Sequence, residues 1–230
     1  MQDSQLSQFT QPTDAIDSTH PSVVDFARLY SGNASSDLEK AVAVYYAVRD
    51  EVRYDPYQII LTVPALRASA TLEAKRGWCV SKAVLLAASC RALGIPARLG
   101  FADVRNHLST ERLRERMGGI DIFYWHGYAD IFLDGKWVKA TPAFNIELCT
   151  KFRLLPLEFD GRSDSIYHPF DAEGNRHMEY VAHRGVYSDL PLSEIISTFQ
   201  KEYPGPKSGT GFVNADFGHD VETETSSART

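Results

Sequence analysis

The chain has 230 residues, of which 43% are hydrophobic and 11% aromatic, and its formal net charge is −6. This length and apolar content suffice for one sizeable core, so we predict a folded protein with one domain. The sequence has no dense run of Lys and Arg, which argues against nucleic acid or an anionic membrane surface as the partner.

The three cysteines, Cys79, Cys90 and Cys149, are an odd and sparse set. Such a set argues against a disulfide scaffold and favours a reducing compartment. Residues 1–19 are polar and lack the basic and apolar regions of a signal peptide, and no apolar run reaches membrane-spanning length. We therefore expect a cytoplasmic protein that does not enter a membrane, with residues 1–19 as a mobile tail.

The first predicted helices have recognisable start signals. A proline opens one over residues 21–30, and the sequence Ser-Asp-Leu-Glu at residues 36–39 is a capping box that starts another, which ends near residue 53. Residues 57–69 are ambiguous, and we predict a loop lining a cleft. Residues 71–76 then make a further helical turn.

Cys79 lies at the predicted start of a helix over residues 80–93, in which only Lys82 and Arg91 are charged. Small and apolar residues all around a helix predict burial on most sides, and Gly94 ends it. A helix N-terminus presents free N–H groups and a partial positive charge. We therefore expect the thiol to ionise readily and to lie beside donors for an oxyanion.

The following segment predicts mostly strands. Residues 97–104 have the composition of a buried strand, and residues 110–117 that of a polar surface helix. Two further strands, over residues 122–133 and 136–141, are joined by Asp-Gly at residues 134–135, the dipeptide favoured in two-residue hairpin loops.

The hairpin predicts a register with consequences for the site. It places Asp130 opposite Lys139, so that opposite charges meet across the strands, and Tyr128 opposite Thr141. His126 and Thr141 then become diagonal neighbours on one face, within reach of a side-chain hydrogen bond.

The C-terminal part gives weaker signals. Residues 166–170 and 176–181 could form another hairpin, and residues 192–199 a final helix. From Tyr203 onward Pro, Gly, Ser, Thr and Glu dominate, so we predict a flexible tail over residues 203–230 and a single domain over residues 20–202.

Cys79 and His126 together could carry nucleophilic catalysis. A nucleophilic thiol needs a base that takes its proton and donors for the developing oxyanion. The alternatives are a buried cysteine that acts as a small hydrophobe and a histidine bonded to backbone.

Four segments in this order resemble the core of the transglutaminase-like superfamily of papain-like cysteine enzymes: Gly-Trp-Cys at 77–79, Leu-Gly-Ile-Pro-Ala-Arg at 93–98, His-Gly-Tyr-Ala-Asp at 126–130 and Trp-Val-Lys-Ala-Thr-Pro at 137–142. The resemblance covers about residues 45–142. It implies an α+β fold in which an antiparallel sheet packs on a buried helix that carries the cysteine. Carried over by motif, Cys79 is the nucleophile and His126 the general base and acid.

The third catalytic position departs from the superfamily. Where its members usually have Asp-Pro, this chain has Thr141-Pro142. A threonine hydroxyl can orient the imidazole but brings no negative charge. Thr141 is preferred by position, and the alternatives are the amide of Asn145 or a carboxylate such as Asp160 or Glu158, which more naturally belong to a solvated turn.

The oxyanion donors would include the backbone N–H of Cys79 and one side chain from the loop before it. Tyr57, Gln58 and Trp78 are candidates that the sequence does not rank. Trp125, next to the predicted base, could shield the site or hold substrate, and packing is an equal alternative.

Other residues are less informative. His168, His177 and His183, with Glu179 nearby, match no zinc spacing, so we predict no metal site and no cofactor.

Cys90 and Cys149 are predicted to be structural. Arg98 and Arg105 could bind a substrate carboxylate, but solvated arginines are preferred.

The resulting hypothesis is a thiol hydrolase, a peptidase or amidase, or else an acyltransferase, that cleaves an amide through a thioester at Cys79. The partner is a peptide or amide substrate, and the oligomeric state is not predicted. The alternatives are a transglutaminase-like binding module without catalysis, suggested by the missing aspartate, and an acyltransferase that acts on a carrier-bound thioester.

Overall fold

The computed structural model describes residues 6–106, 109–166, 178–203 and 215–227. After a 3-10 helix at Ser7–Phe9, the helices are α1 (Pro21–Ser31), α2 (Asp37–Glu51), α3 (Val63–Leu66), α4 (Ala68–Ala74), α5 (Cys79–Ala92), α6 (Glu111–Arg116), α7 (Ile146–Phe152), α8 (Leu192–Glu202) and α9 (Phe217–Ser227). The strands are β1 (Arg53–Tyr54), β2 (Arg76–Gly77), β3 (Ala97–Asn106), β4 (Ile122–Leu133), β5 (Lys136–Ala140) and β6 (Met178–Tyr187).

The main sheet has four antiparallel strands in the order β5-β4-β3-β6, and β1 and β2 form a separate parallel pair. The predicted hairpin is confirmed, because Leu133 pairs with Lys136 and Asp130 with Lys139. The last pair joins Ala129 to Ala140, so β4 extends well beyond the end of β5.

Helix α5 is the centre of the core. Its residues from Cys79 to Arg91 are all buried, and it contacts β3, β4, α1, α2 and α4. An apolar surface on every side lets a helix pack against a sheet and other helices at once. The predicted α+β fold, an antiparallel sheet packed on a buried helix that carries the cysteine, is confirmed.

The two charged residues of α5 are buried with carbonyl partners. The ammonium of Lys82 donates to the carbonyls of Arg49 and Val52, near the C-terminus of α2. Carbonyls at the C-terminus of a helix have no N–H partner within that helix, so Lys82 caps α2 from a neighbouring helix. Burial lowers the pKa of Lys82 to about 7, because the charged form loses its hydration.

Local signals predicted several boundaries correctly. The capping box is present, since Glu39 N–H donates to Ser36 Oγ while the Glu39 carboxylate accepts from Ser36 N–H. Gly32 follows α1 with a φ of 49°. Residues 57–69 differ from the prediction of a loop, because they contain the one-turn helix α3, capped by Thr62, and the start of α4.

The prediction of a mobile N-terminal tail is wrong for residues 6–19. Ala15 and Ile16 are buried in the core. The guanidinium of Arg91, on α5, donates to the carbonyl of Gln11 at 2.7 Å. These few anchors hold a polar segment, which composition alone assigned to solvent.

The prediction of a flexible C-terminal tail is likewise wrong for the described residues 215–227. Most of them form α9, in which Phe217 and Val221 are buried. Phe217 packs on the rings of Tyr54 and Tyr57. Two apolar residues one turn apart are enough to attach an otherwise polar helix.

The predicted hairpin near residues 166–181 lies mostly outside the described residues, which omit 167–177. Its second strand is part of β6, which is longer than predicted and pairs antiparallel with β3. Among the described residues, no helix is long and apolar enough to span a membrane.

Candidate active site

Cys79 is the first residue of α5, and Trp78 is the extended residue that caps it. The hydroxyl of Ser81 accepts from Trp78 N–H at 3.1 Å and donates to Trp78 carbonyl at 3.2 Å. This reciprocal contact fixes the first turn, so the thiol begins the helix in a defined place.

The thiol lies at the edge of β4 beyond its last pair with β5. In the observed register Leu133, Ile131 and Ala129 direct their N–H and C=O groups towards β5. Gly127 continues this series beyond the last pair, and its backbone N–H is one of the groups that hydrogen-bond the sulfur of Cys79. The early end of β5 therefore opens the edge at which the nucleophile is seated, next to His126.

Gly127 also allows the helix to approach the strand. A Cβ atom there would lie 3.0 Å from Val80 Cα, 3.2 Å from Val80 Cγ2 and 3.4 Å from Phe101 Cε1. Ordinary carbon contacts are about 3.5–4.0 Å. A glycine is thus required for the first turn of α5 to reach β4 at this level.

A bulge precedes His126. The pairs Ala102–His126 and Val104–Phe123 are separated by one residue on β3 and by two on β4. The extra residue leaves Trp125 at a φ of 60°, in the left-handed region. Such a conformation costs a bulky residue about 1–3 kcal/mol, so the surroundings must hold it.

Asp103 holds the bulge. Its Oδ1 accepts from Trp125 N–H at 3.1 Å, and its two oxygens accept from Arg184 Nε at 2.9 and 3.0 Å. The carboxylate is buried, and the Arg184 guanidinium also lies over the Trp125 ring, 5.3 Å from its centroid. Asp103 thus positions the backbone from which His126 extends.

The ion pair of Asp103 with Arg184 was not predicted from the sequence. The signal available was an aspartate inside a segment predicted to be a buried strand, since buried carboxylates need partners.

Cys79 and His126 line the same cavity, whose volume is about 220 Å³. Both are nearly covered, with exposures of 6% and 5%. The aromatic members of the lining are Tyr54, Trp78, Phe123, Tyr124, Phe199 and Tyr203. The other apolar members are Pro56, Ile59, Leu61, Leu113 and Met117.

Burial raises the pKa of the Cys79 thiol to about 11. The backbone N–H groups of Gly127, Val80 and Cys79 itself act in the opposite direction, because they stabilise the thiolate. The sequence predicted ready ionisation from the helix N-terminus, and that prediction is wrong for this state. Desolvation under a lid of aromatic rings outweighs the local donors.

The model of the transglutaminase-like superfamily matches residues 24–142, which is more than half of the chain. The chain belongs to the transglutaminase-like superfamily. The resemblance predicted from residues 45–142 is confirmed, and the match extends it to include all of α2 and most of α1. No curated protein matches the sequence.

Three solved structures resemble this superfamily member. A candidate cysteine protease from Cytophaga hutchinsonii has 18% identity and a TM-score of 0.47, covering 80% of this chain and 54% of that one. A candidate protease from Parabacteroides distasonis has 18% identity and a TM-score of 0.38, covering 60% and 25%. A TGase has 20% identity and a TM-score of 0.39, covering 57% and 32%. The chain spans about half or less of their lengths.

Thr141, at the position where the superfamily usually has aspartate, is buried directly after β5. Its hydroxyl donates to Ile166 carbonyl at 2.9 Å, and its N–H donates to Ser165 carbonyl at 2.8 Å. Because the pairs of β4 with β5 end at Ala129 and Ala140, the predicted pairing of Tyr128 with Thr141 is not part of the ladder.

The alternative third residues are engaged elsewhere. The Asn145 Oδ1 accepts from Tyr54 N–H at 3.1 Å. Asp160 is exposed and caps its own turn, accepting from two backbone N–H groups that lower its pKa. Glu158 is exposed and accepts from Tyr46 hydroxyl at 2.7 Å. None of the three lines the cavity as the described residues define it.

The predicted substrate and oxyanion residues separate into two groups. Trp78 lines the cavity beside Cys79. The hydroxyl of Tyr57 instead contacts Thr110 and Asp220, Gln58 is exposed, and Trp125 donates from Nε1 to Thr198 at 2.9 Å. The last three residues are absent from the described lining.

Arg98 is neither solvated nor turned to the cavity, in contrast to both predictions. It forms an ion pair of 2.8 Å with Asp130 and stacks 3.9 Å from the centroid of Trp137. Asp130 therefore meets Arg98 on β3, although Lys139 is opposite it on β5.

Three further predictions concern the surface and the remaining cysteines. Arg105 pairs with Asp121 on the surface. Cys90 and Cys149 are free and buried. His183 is exposed on β6, while His168 and His177 lie outside the described residues. Within the described ranges, no three potential ligands cluster as a metal site.

Proposed function

We propose that this protein is a cysteine-dependent hydrolase, a peptidase or amidase, that cleaves an amide through a thioester on Cys79. One observation carries the proposal: the thiol at the start of a buried helix and the imidazole of His126 line one small cavity. A nucleophile and a base that face the same substrate-sized space are the minimum that acyl transfer requires.

The raised pKa of Cys79 determines how the first step proceeds. Because burial raises the pKa of this thiol to about 11, we propose that it keeps its proton in the resting protein. His126 therefore acts as general base while Cys79 Sγ attacks the substrate carbonyl, and it then protonates the leaving amine. Water, activated by the same imidazole, hydrolyses the thioester and restores the thiol.

The oxyanion is bound by the backbone N–H of Cys79 and by Trp78 Nε1. Among the described residues, Trp78 Nε1 is a buried donor with no hydrogen-bond partner. Such an unpaired donor costs about 1–3 kcal/mol. A substrate oxygen in the cavity would accept a hydrogen bond from Trp78 Nε1, and this hydrogen bond would become stronger as negative charge develops on the oxygen.

Thr141 is the proposed orienting residue for the ring of His126. Its hydroxyl hydrogen is used on Ile166 carbonyl, so its lone pairs remain available to accept from an imidazole N–H. A neutral hydroxyl stabilises the imidazolium less than a carboxylate does, so we expect slower chemistry than a Cys-His-Asp triad would give.

The second candidate is a binding module without catalysis. It is favoured by the neutral thiol and by threonine in place of aspartate. Both candidates use the same cavity, and only the first forms a covalent intermediate.

The proposal is tested with N-acetylglycine 4-nitrophenyl ester as acyl donor. Wild-type protein should release 4-nitrophenolate, and acid-quenched samples should carry an acetylglycyl adduct on Cys79 by mass spectrometry. Cys79→Ala should lose the adduct, and His126→Ala should slow acylation roughly 10³-fold. Cys90→Ala is the matched control, because Cys90 is buried on the same helix but does not line the cavity.

The outcomes separate the candidates. An adduct that persists in His126→Ala at the wild-type rate, or turnover that persists in Cys79→Ala, would reject the mechanism. Binding of the donor without an adduct would support the module. Adding an amine acceptor then distinguishes transfer from hydrolysis, since a transferase forms the new amide in competition with water.

The compartment is also a proposal. Three free, buried cysteines agree with a reducing compartment, and we propose the cytoplasm.

A further inference from the structure

The cavity above Cys79 has the size of one side chain. An apolar cavity of about 150 Å³ can hold a benzene ring, and this one has about 220 Å³. It is too small for several residues of a peptide. One bulky group next to the attacked carbonyl would fill it.

Most of its wall is apolar. Ile59, Leu61, Leu113, Met117 and Phe199 contribute hydrocarbon. The hydroxyl of Tyr203, which also faces this region, already donates to Ile122 carbonyl at 3.1 Å and accepts from Tyr124 N–H at 2.9 Å. A substrate amide placed there would lose water without an equivalent return.

The charged residues of the lining also disfavour basic substrate side chains. In the described lining the only basic residue besides His126 is Arg116, and there is no Asp or Glu. A lysine or arginine side chain would enter a low-dielectric space without a counter-charge and close to a guanidinium.

We propose that the cavity binds an aromatic or large aliphatic side chain carried by the acyl group that Cys79 attacks. This assignment rests on the proposed function and names its substrate class: amides whose acyl residue is phenylalanine-like or leucine-like, with glutamine-like and basic acyl residues rejected.

The test compares N-acetyl 4-nitrophenyl esters of Phe, Leu, Gln, Lys and Glu, each as a ratio of its acylation rate to that of the glycine ester. In every case Cys79 Sγ forms a thioester, its proton passes to His126, and 4-nitrophenolate leaves. The Phe ratio should be roughly 10 to 100, from the burial of one aromatic side chain. The Lys and Gln ratios should be one or less.

Two charge substitutions in one loop provide the control. Leu61 lines the cavity and is partly exposed, whereas Ile60 is 60% exposed and does not line it. Leu61→Glu should lower the Phe ratio roughly tenfold and raise the Lys ratio above one. Ile60→Glu should leave both ratios unchanged.

The inference and the proposed function fail separately. If the glycine ester does not acylate Cys79, the proposed function is lost and the substrate class with it. If the glycine ester acylates Cys79 but the Phe and Leu ratios are one or less, only the substrate class is overturned. A Glu ratio above the Phe ratio would overturn it as well, and would make Arg116 the binding group.

Discussion

Gly127 is the position at which packing and chemistry can be perturbed by a single methyl group. In Gly127→Ala the new Cβ would lie 3.0 Å from Val80 Cα, at least about 0.5 Å inside an ordinary carbon contact. Val80 Cα belongs to the helix backbone and cannot rotate away. The first turn of α5 must therefore move back from β4 by a few tenths of an ångström.

The expected cost follows from this displacement. Overpacking of a core costs about 1–3 kcal/mol, and replacing glycine in a strand returns about 0.5–1 kcal/mol of chain entropy. We expect a net loss of about 1–2 kcal/mol in the free energy of unfolding, measured by urea denaturation. Because Cys79 leaves the N–H of Gly127, its acylation by the glycine ester should fall about 10²-fold.

Gly218→Ala is the matched control. The nearest atom to its Cβ is Asp216 Oδ1 at 3.3 Å, which belongs to a side chain and not to the backbone. Alanine in α9 should leave acylation unchanged and stability equal or higher by about 0.5–1 kcal/mol. If Gly127→Ala matched this control in both measurements, the close approach of helix and strand would not constrain the site.

Three other substitutions test separate parts of the structure. Asp103→Leu should lower the free energy of unfolding in urea by about 2–3 kcal/mol, because Trp125 N–H and Arg184 lose their acceptor. Asp103→Asn keeps an acceptor for Trp125 N–H and should cost about half as much. Equal costs of the two substitutions would contradict the proposal that the contact with Trp125 N–H stabilises the bulge. Trp78→Phe should slow ester acylation roughly 10²-fold with nearly unchanged stability, because the variant lacks the Nε1 donor for the oxyanion. An unchanged acylation rate would contradict the role of Trp78 Nε1 as an oxyanion donor. Lys82 has a pKa of about 7 in the folded chain against an ordinary value of 10.5, so between these pH values the unfolded chain binds one more proton and the free energy of unfolding rises with pH. Relative to Lys82→Met, the free energy of unfolding of the wild type should rise by about 2 kcal/mol between pH 7.5 and 9. Parallel pH profiles of the two proteins would contradict a neutral buried amine at Lys82.

Local sequence signals predicted the elements that hold the site. The capping residue Ser36, the Asp-Gly turn at 134–135 and the largely apolar surface of α5 each depend on a few neighbouring residues. Short local sequences therefore determine their geometry, and the folded protein contains these features as predicted. The motif around Cys79 and His126 led to the correct superfamily for the same reason.

Features that depend on distant residues were not predictable in this way. Asp103 and Arg184 are 81 positions apart, and the bulge at Trp125 exists because their ion pair supplies its acceptor. The pKa of Cys79 was predicted from its helix alone, whereas the aromatic rings that bury it come from β1, β4 and α8. Sequence periodicity predicts which face of a helix or strand is buried, but it does not predict which other element covers that face.

The three carbonyls bound by Arg91 link events that are far apart during synthesis. Its guanidinium donates to Ala97, to Gln11, which is 80 positions away, and to Ser188, which is 97 positions away. Contacts of this span form late in folding, because a long loop must close first. A nascent chain on the ribosome would hold this cation without its last acceptor until residue 188 has emerged, so the helix bearing the thiol would become rigid only when most of the polypeptide is available.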